Sequence, residues 1–385
     1  MAANAFVRAL LAGPAWLYEL AVRVRTVAYE TNYLKSRKLD TAVVSVGNIT
    51  VGGTGKTPLV EYIARYLTSE GYSIAILTRG YGRHSRGQKL LNAPSGAGAH
   101  QGKDPSPART GDVVTIDDSL ARGFHGTPSY LEFGDEPVML SRALPEVPIV
   151  VNANRFEGGR WAEQNLHPDV IILDDAYQHL ALARDVNVLV LDATDPFGGE
   201  RMIPFGRLRE PLFGIKRADA IIVTRAHRPF DQGRLLSVLR YFLGDKVPVM
   251  YAHSSIVRLR HLETQQSYDA QEFRGWNAAV MCGIGNPSAF SDDLIQIGVN
   301  IATEEFFRDH RVFTHKDLEK VVESASKAGA DMIVTTEKDA VRLANLKHGE
   351  VPIYVAEMEI ESEDEVRLKS FLLRSLLVKR NENQY

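Results

Sequence analysis

Short hydrophobic runs alternate along the chain with longer stretches in which apolar residues recur every third or fourth position. The short runs are typical of buried strands, and the longer stretches are typical of helices that bury one face. Strands are predicted at 42–46, 74–78, 148–151, 169–173, 187–191, 220–224, 247–251, 278–281 and 331–335, and helices at 57–69, 136–143, 235–243, 315–328 and 363–377. This alternation predicts an α/β fold with parallel sheets.

The first predicted strand runs into a glycine-rich turn and then a helix, across residues 47–58. The N–H groups of such a turn can surround a phosphate, Lys56 adds a positive charge, and the Thr57 hydroxyl can bind Mg²⁺. The residues expected to bind the nucleotide are Thr50, Val51, Gly52, Gly53, Thr54, Gly55, Lys56 and Thr57. Thr50 stands where the general pattern has its first glycine. The alternative is therefore an ordinary glycine-rich turn in which Lys56 is incidental and binds no phosphate. The pattern favours a P-loop NTPase-type sheet that binds a nucleoside triphosphate.

The length of 385 residues suggests two domains. We expect a P-loop core domain at 40–220 and a smaller α/β domain at 221–385. The core domain contains a long loop at 84–130, in which residues 84–112 are rich in glycine, serine, proline and basic residues and are expected to be mobile. The net charge of −3 argues against a general polyanion-binding surface, so no nucleic acid partner is expected. The single cysteine, Cys282, cannot form an internal disulfide, which fits a reducing compartment.

Residues 1–39 combine six basic residues, two acidic ones and many apolar side chains, including Trp16 and Tyr18. The longest uncharged run, 9–18, is far shorter than the ~20 residues of a spanning helix. Either an amphipathic helix lies in a membrane surface here, or the segment packs on the core. Gly13-Pro14 is expected to break it into two pieces.

Two acids, Asp174 and Asp175, end a predicted strand. In nucleotide-binding sheets a carboxylate at this point lies beside the phosphates, where Mg²⁺ is held, although Asp also caps turns. Nearby His179 fits a structural role as well as a functional one.

Asp135 follows Gly134 at the start of a predicted helix, where it either caps that helix or takes a proton from a hydroxyl nucleophile. His310, among aromatic and charged residues, can orient a carboxylate, whereas His315 looks like part of a helix start. The arginines of 207–212, including Arg209, either clamp a phosphate or belong to a solvated loop.

Taken together, these segments resemble the tetraacyldisaccharide 4'-kinase family. The matching segments occur in the family's order within residues 1–340, and Thr50 also agrees with the family. They are Gly47–Pro58, Arg79–Arg83, Gly134–Pro137, Asp174–His179, Leu208–Pro211, Asp309–His310 and Thr335–Asp339.

The resemblance implies a kinase that uses ATP and Mg²⁺ to phosphorylate the 4'-hydroxyl of an acylated glucosamine disaccharide phosphate lipid, giving lipid IVA. By the same analogy Asp135 is the base and His310 its dyad partner. Thr57 and Asp174 hold the metal, Asp175 helps to position the substrate, and Arg209 and Glu210 lie near the transfer site. The N-terminal helix would associate peripherally with the cytoplasmic face of the bacterial inner membrane, and a monomer is expected.

Two other functions remain open from the sequence. Thr335–Asp339 ends a predicted strand, where a P-loop GTPase or maturation factor places a guanine-reading Asn/Thr-Lys-x-Asp, although Lys338 and Asp339 are adjacent here. A non-catalytic, nucleotide-gated membrane adaptor would bind nucleotide without transferring phosphate.

Overall fold

The structure, a computed structural model, describes residues 2–81, 83, 87–92, 114–116, 129–309, 311–343, 346 and 351–382. The chain divides into two compact units. The first comprises Met1–Arg79, Asn152–His253 and Glu361–Tyr385, and the second comprises Gly80–Val151 and Ser254–Ile360. The sequence predicted a boundary after residue 220, but that point falls inside the strand Ala220–Thr224, which pairs in one ladder with Val186–Asp192. The units therefore differ from the sequential domains that the sequence predicted.

The first unit is built on a parallel sheet. Its strands are β1 (Ala42–Gly47), β2 (Ile74–Thr78), β6 (Val170–Asp174), β7 (Val186–Asp192), β8 (Ala220–Thr224) and the start of β9 (Val249–His261), in the order β9-β8-β7-β1-β6-β2. Every residue of β1, β2, β6, β7 and β8 is buried, as expected for parallel strands covered on both faces. The carboxyl ends of β1 and β6 therefore meet at one edge of this sheet.

Five helices accompany this sheet in the described part of the first unit: α1 (Ala2–Glu30), α2 (Lys56–Ser69), α5 (Arg155–Asn165), α6 (Gln232–Leu243) and α10 (Glu365–Glu382). Helix α1 continues through Pro14, so the predicted break at Gly13-Pro14 is wrong. Helix α2 directly follows the glycine-rich turn, as predicted.

The second unit contains the strands β3 (Lys89–Leu91), β4 (Val114–Ile116), β5 (Ile149–Val151), β10 (Ser267–Asp269), β11 (Asn277–Cys282), β12 (Asn300–Phe306), β13 (Met332–Thr336) and β14 (Ile353–Ser362). Its helices are α3 (Ser129–Phe133), α4 (Asp135–Ala143), α7 (Pro287–Gln296), α8 (His315–Lys327) and α9 (Glu337–Leu343). Strands β12, β11, β13 and β14 are parallel neighbours.

The sequence pattern predicted parallel sheets, but some of the strand pairs are antiparallel. β3 pairs antiparallel with β5, and β10 pairs antiparallel with β9. β3, β4 and the start of α3 also fall inside the predicted loop 84–130, and the rest of that stretch, apart from 87–88 and 92, lies outside the described residues. The predicted helix start at Thr314 is confirmed, because Thr314 and Asp317 form a capping box.

Candidate active site

The glycine-rich turn between β1 and α2 has the backbone of a phosphate-binding loop. Gly52 and Gly55 have φ angles of 108° and 78°, and Gly55 precedes the first residue of α2. Both angles are open to glycine and costly for other residues. The turn therefore ends at a helix N-terminus, where partial positive charge and N–H groups favour a bound phosphate.

Side chains from outside the turn hold three of its carbonyl groups. The bonds run from Arg207 Nη2 to Val51 O (3.1 Å), from Arg225 Nη1 to Gly53 O (3.0 Å) and from Thr224 Oγ1 to Thr54 O (2.9 Å). Arg225 is itself paired with Asp192 at the end of β7. Carbonyl oxygens repel phosphate oxygens, so keeping them on these donors favours a loop that presents its N–H groups to a phosphate.

Lys56, Asp175 and Arg209 form a charged cluster at the start of α2. Arg209 Nη1 donates to both carboxylate oxygens of Asp175 at 2.8 Å, and Lys56 Nζ lies 3.6 Å from Asp175 Oδ1. Burial alone would raise the pKa of Asp175, but Lys56 and Arg209 outweigh it and hold this pKa below its usual range. The structure therefore brings together three residues that the sequence analysis singled out.

The segment of Arg209 and Glu210 runs antiparallel to the loop. Val51 N donates to Arg207 O at 2.7 Å, Arg209 N donates to Ile49 O at 2.8 Å, and Thr50 bridges Leu208. The Glu210 side chain is buried, accepts a bond from Gln178 Nε2 at 2.7 Å and pairs with Arg217. A solvated surface loop is therefore the wrong reading of this segment.

Thr57 and Asp174 are suited to hold Mg²⁺ beside a bound triphosphate. Thr57 lies in the first turn of α2, and Asp174 ends β6, where it pairs in register with Val46 of β1. Among the described residues no group of three or more His, Cys, Asp or Glu side chains could hold a metal by itself. Magnesium in nucleotide sites needs only one or two protein ligands because phosphates and water supply the others, so this pair fits.

His179 lies in a strongly cationic environment in the first unit. Burial, followed by the charges of Arg155, Arg184, Arg25 and Arg79, lowers the pKa of His179 to about 4. Arg155 is itself buried, and burial lowers the pKa of Arg184 to about 10. Such a concentration of positive charge is suited to an anionic group.

Asp135 belongs to the second unit and is buried there. It is the first residue of α4, and the cap position is Gly134, which makes no side-chain capping bond. The alternative that Asp135 caps its helix is therefore wrong. Instead, the carboxylate accepts hydrogen bonds from Nε and Nη2 of Arg342, the first of them at 3.2 Å.

His310, the other predicted catalytic residue of this unit, lies outside the described residues. Its neighbour Asp309 accepts a hydrogen bond from Lys338 Nζ at 2.7 Å, on helix α9.

The sequence analysis missed Thr224, Arg225 and Arg342. Thr224 and Arg225 stand at the carboxyl end of a correctly predicted strand, a position at which ligands bind in α/β sheets, so this rule could have found them. Arg342 carries no such signal, since it meets Asp135 across 207 positions of sequence.

Comparison with known proteins agrees with this geometry. The family model for tetraacyldisaccharide-1-P 4'-kinase matches residues 7–116 and 117–377. The tetraacyldisaccharide 4'-kinase of Geobacter sulfurreducens is 34% identical over 378 residues, covering 96% of this chain and 94% of that protein. The corresponding protein of Pelobacter propionicus is 35% identical, covering 94% and 91%. An LpxK from Aquifex aeolicus, solved in complex with ATP, is 27% identical with a TM-score of 0.69, covering 96% of this chain and 99% of that one. The chain belongs to the tetraacyldisaccharide-1-P 4'-kinase family.

Proposed function

We propose that this ATP-dependent kinase transfers the γ-phosphate of ATP to the 4'-hydroxyl of tetraacyldisaccharide 1-phosphate, giving lipid IVA. The observation that carries the proposal is the family match across residues 7–377, which includes the phosphate loop, Asp135 and the Lys56–Asp175–Arg209 cluster. Relatives more than 30% identical over nearly the whole chain bear the name of this activity.

The phosphate loop supplies the donor half of the reaction. Its N–H groups and Lys56 bind the β- and γ-phosphates, and Lys56 exchanges its contact with Asp175 for a phosphate oxygen. Arg209, oriented by Asp175, stabilises the charge that develops on the transferred group. Magnesium held by Thr57 and Asp174 would neutralise further phosphate charge, and Glu210 fixes the loop segment through Gln178.

Asp135 supplies the base. Its carboxylate accepts the proton of the acceptor hydroxyl as the hydroxyl oxygen attacks the γ-phosphorus and the bond to ADP breaks. His310 remains the proposed dyad partner of this carboxylate.

The arginines around His179 are suited to the anionic phosphate already present on the acceptor. Arg25 of α1 donates to Gln178 O at 3.1 Å, so the same helix reaches this cationic environment. A bound dianion would also favour protonation of His179, which adds one more donor.

Helix α1 is suited to bind the lipid surface. One face packs on the first unit, where Thr26 is buried and Tyr18 donates its hydroxyl to Arg209 O at 2.9 Å. Its other side exposes Trp16, Leu17 and Val24. An apolar groove of about 530 Å³ is formed there by Leu17, Leu20, Ala21, Val24, Arg25, Ala28, Tyr33 and Leu34.

We found no helix among the described residues that is long and apolar enough to span a bilayer. The proposed mode is peripheral association of a monomer, through the exposed apolar groove of α1, with the cytoplasmic face of the inner membrane.

A guanine-specific GTPase is disfavoured by Asp339, the residue that would read the base. Its oxygens accept bonds from Gly283 N at 2.9 Å, Thr336 Oγ1 at 2.8 Å and Arg342 Nη1 at 3.2 Å. The side chain is fully buried, so these bonds would have to break before it could bind guanine.

The deciding experiment is incubation with γ-labelled ATP and a panel of acylated disaccharide phosphates, followed by thin-layer separation. We expect label in the lipid only for acceptors with a free 4'-hydroxyl, and preference for ATP over GTP. Nucleotide binding without transfer to any lipid would favour the adaptor alternative, and tighter binding of GTP would favour the GTPase.

A further inference from the structure

The segment Thr335–Asp339 and helix α9, which begins within it at Glu337, have no role in the reaction as proposed so far. Helix α9 nevertheless contains two of the most deeply buried charged residues of the second unit. The side chain of Asp339 is 0% exposed and that of Arg342 is 2% exposed. Burying an ion pair in this way seldom stabilises a fold more than apolar side chains of the same volume would. Stability alone therefore does not explain them.

Asp339 is fixed from two strands. Oδ2 accepts hydrogen bonds from Gly283 N, just after β11, and from Thr336 Oγ1 at the end of β13, while Oδ1 accepts from Arg342 Nη1. Both carboxylate oxygens of Asp339 are therefore fixed by hydrogen bonds, and Oδ1 in turn fixes Nη1 of the Arg342 guanidinium.

The other edge of Arg342 binds Asp135. Nε donates to Oδ1 and Nη2 donates to Oδ2, which is the two-bond geometry that planar guanidinium and carboxylate groups favour. The backbone of Asp135 is fixed as well, because it follows Gly134, whose φ is 96° and whose Cβ, if present, would meet Tyr81 O at 2.9 Å. The Asp135 carboxylate therefore has little freedom to rotate.

This arrangement suits a base in phosphoryl transfer. A carboxylate offers about four lone-pair sites, so it can accept hydrogen bonds from more than one partner at a time. Phosphoryl transfer depends mainly on positioning and charge, so an ionised, oriented carboxylate is more useful than a strongly basic one.

We propose that Arg342 is a positioning residue for Asp135, and that Asp339 holds Arg342 for this purpose. Through these contacts the Asp135 carboxylate stays in one orientation, ready to accept the proton of the acceptor hydroxyl. This inference rests on the proposed function.

A double-mutant cycle with Asp135→Asn and Arg342→Met tests the inference. We expect Arg342→Met to lower kcat by about 10²-fold, as Asp135→Asn does, with the KM for ATP changed by less than about threefold. In the Asp135→Asn background the same replacement should have almost no further effect, because its target is already gone. Arg258→Met is the matched control, since Arg258 lies in the same unit and pairs with Glu357 and Glu359 at the surface.

Equal losses from Arg342→Met in both backgrounds would overturn the inference, because Arg342 would then act independently of Asp135. If Arg342→Met fails to fold, Arg342→Lys and Asp339→Asn replace it in the cycle. Folded variants with the wild-type kcat would also overturn the inference, whereas lower kcat with unchanged KM for ATP would support it. A wild-type chain without kinase activity would instead contradict the proposed function, and with it this inference.

Discussion

At the scale of single residues, the phosphate loop depends on a lysine that already has a partner. Lys56 is buried and lies 3.6 Å from Asp175, which Arg209 also binds. The same carboxylate thus keeps two cations near the start of α2. A nucleotide that replaces Asp175 at Lys56 would leave Asp175 paired with Arg209.

Replacing Lys56 with alanine should lower kcat by about 10²-fold or more, because a fixed charge on the transferred phosphate is lost. Initial rates with labelled ATP would measure the loss. Lys327→Ala is the control, because Lys327 is exposed on α8, far from the phosphate loop in sequence, and pairs with Glu323 one turn earlier. Near-normal turnover in Lys56→Ala would contradict the phosphate-loop assignment.

His179 should make the stability of the fold sensitive to mild acid. Burial and the surrounding arginines lower its folded-state pKa to about 4 from the ordinary value of 6.5. Above the ordinary value it is neutral in both states and contributes no pH dependence. As the pH falls from 6.5 to about 4, the unfolded state takes up the proton and the fold loses stability.

His179→Asn should therefore weaken the pH dependence of the free energy of unfolding across this window. Urea unfolding of the wild type and the variant at a series of pH values measures it. Parallel pH dependences for the two proteins would show that His179 is not the group responsible.

Single residues also show where sequence reasoning stops. Lys56 and Asp175 could be predicted because each stands in a short local pattern at a strand or helix end, and Arg209 because its segment resembles the family. Arg342 could not be predicted, because its importance comes from a contact with Asp135 that only the folded second unit creates.

At the scale of elements, α1 has one buried side and one exposed apolar side. Thr26 and Ala15 are buried against the first unit, while Leu17 and Val24 line the exposed apolar groove. The sequence left packing on the core and contact with a membrane as alternatives. The two are compatible, because they use different sides of one helix.

Leu17→Glu together with Val24→Glu should weaken sedimentation with vesicles that contain anionic lipid, since two charges would have to enter the apolar boundary. The expected activity on a water-soluble acceptor is close to that of the wild type. Val366→Glu is the control, because Val366 is even more exposed, on α10, but lies outside the groove. Unchanged vesicle binding by the double variant would argue against α1 as the membrane contact.

The strands were predicted with uneven success, for a physical reason. β2 and β8 were predicted to the residue because each is a run of four apolar residues ended by a threonine and bounded by polar residues. β12 and β14 were missed because exposed and half-buried positions prevail along them, and glutamates interrupt their apolar residues. Their pairing partners decide their conformation, and pairing is not visible in a local window.

At the scale of the whole molecule, each compact unit is assembled from segments that are separated in the sequence. The first unit needs β8 and the start of β9, which follow residue 220, and Thr224 and Arg225 hold the carbonyl groups of the phosphate loop. The sequence predicted sequential domains, because a unit assembled from separated segments cannot be recognised from local composition alone.

A fragment of residues 1–220 should therefore fail to bind ATP, although it contains the whole phosphate loop. Equilibrium dialysis with labelled ATP and limited proteolysis would measure this, with the full chain as reference. A protease-resistant fragment with the ATP affinity of the full chain would contradict the division into units.

Helix α10 has a consequence for how this protein is made. Its Glu365 accepts a bond from Tyr62 at 3.0 Å, and its Lys369 lies over the Tyr66 ring, so it packs on α2, the helix that follows the phosphate loop. A ribosome adds about 5–20 residues per second, and α2 emerges long before α10 does. The contacts of Tyr62 and Tyr66 with α10 can therefore form only after nearly three hundred further residues have been synthesised, so this side of α2 remains uncovered during that interval.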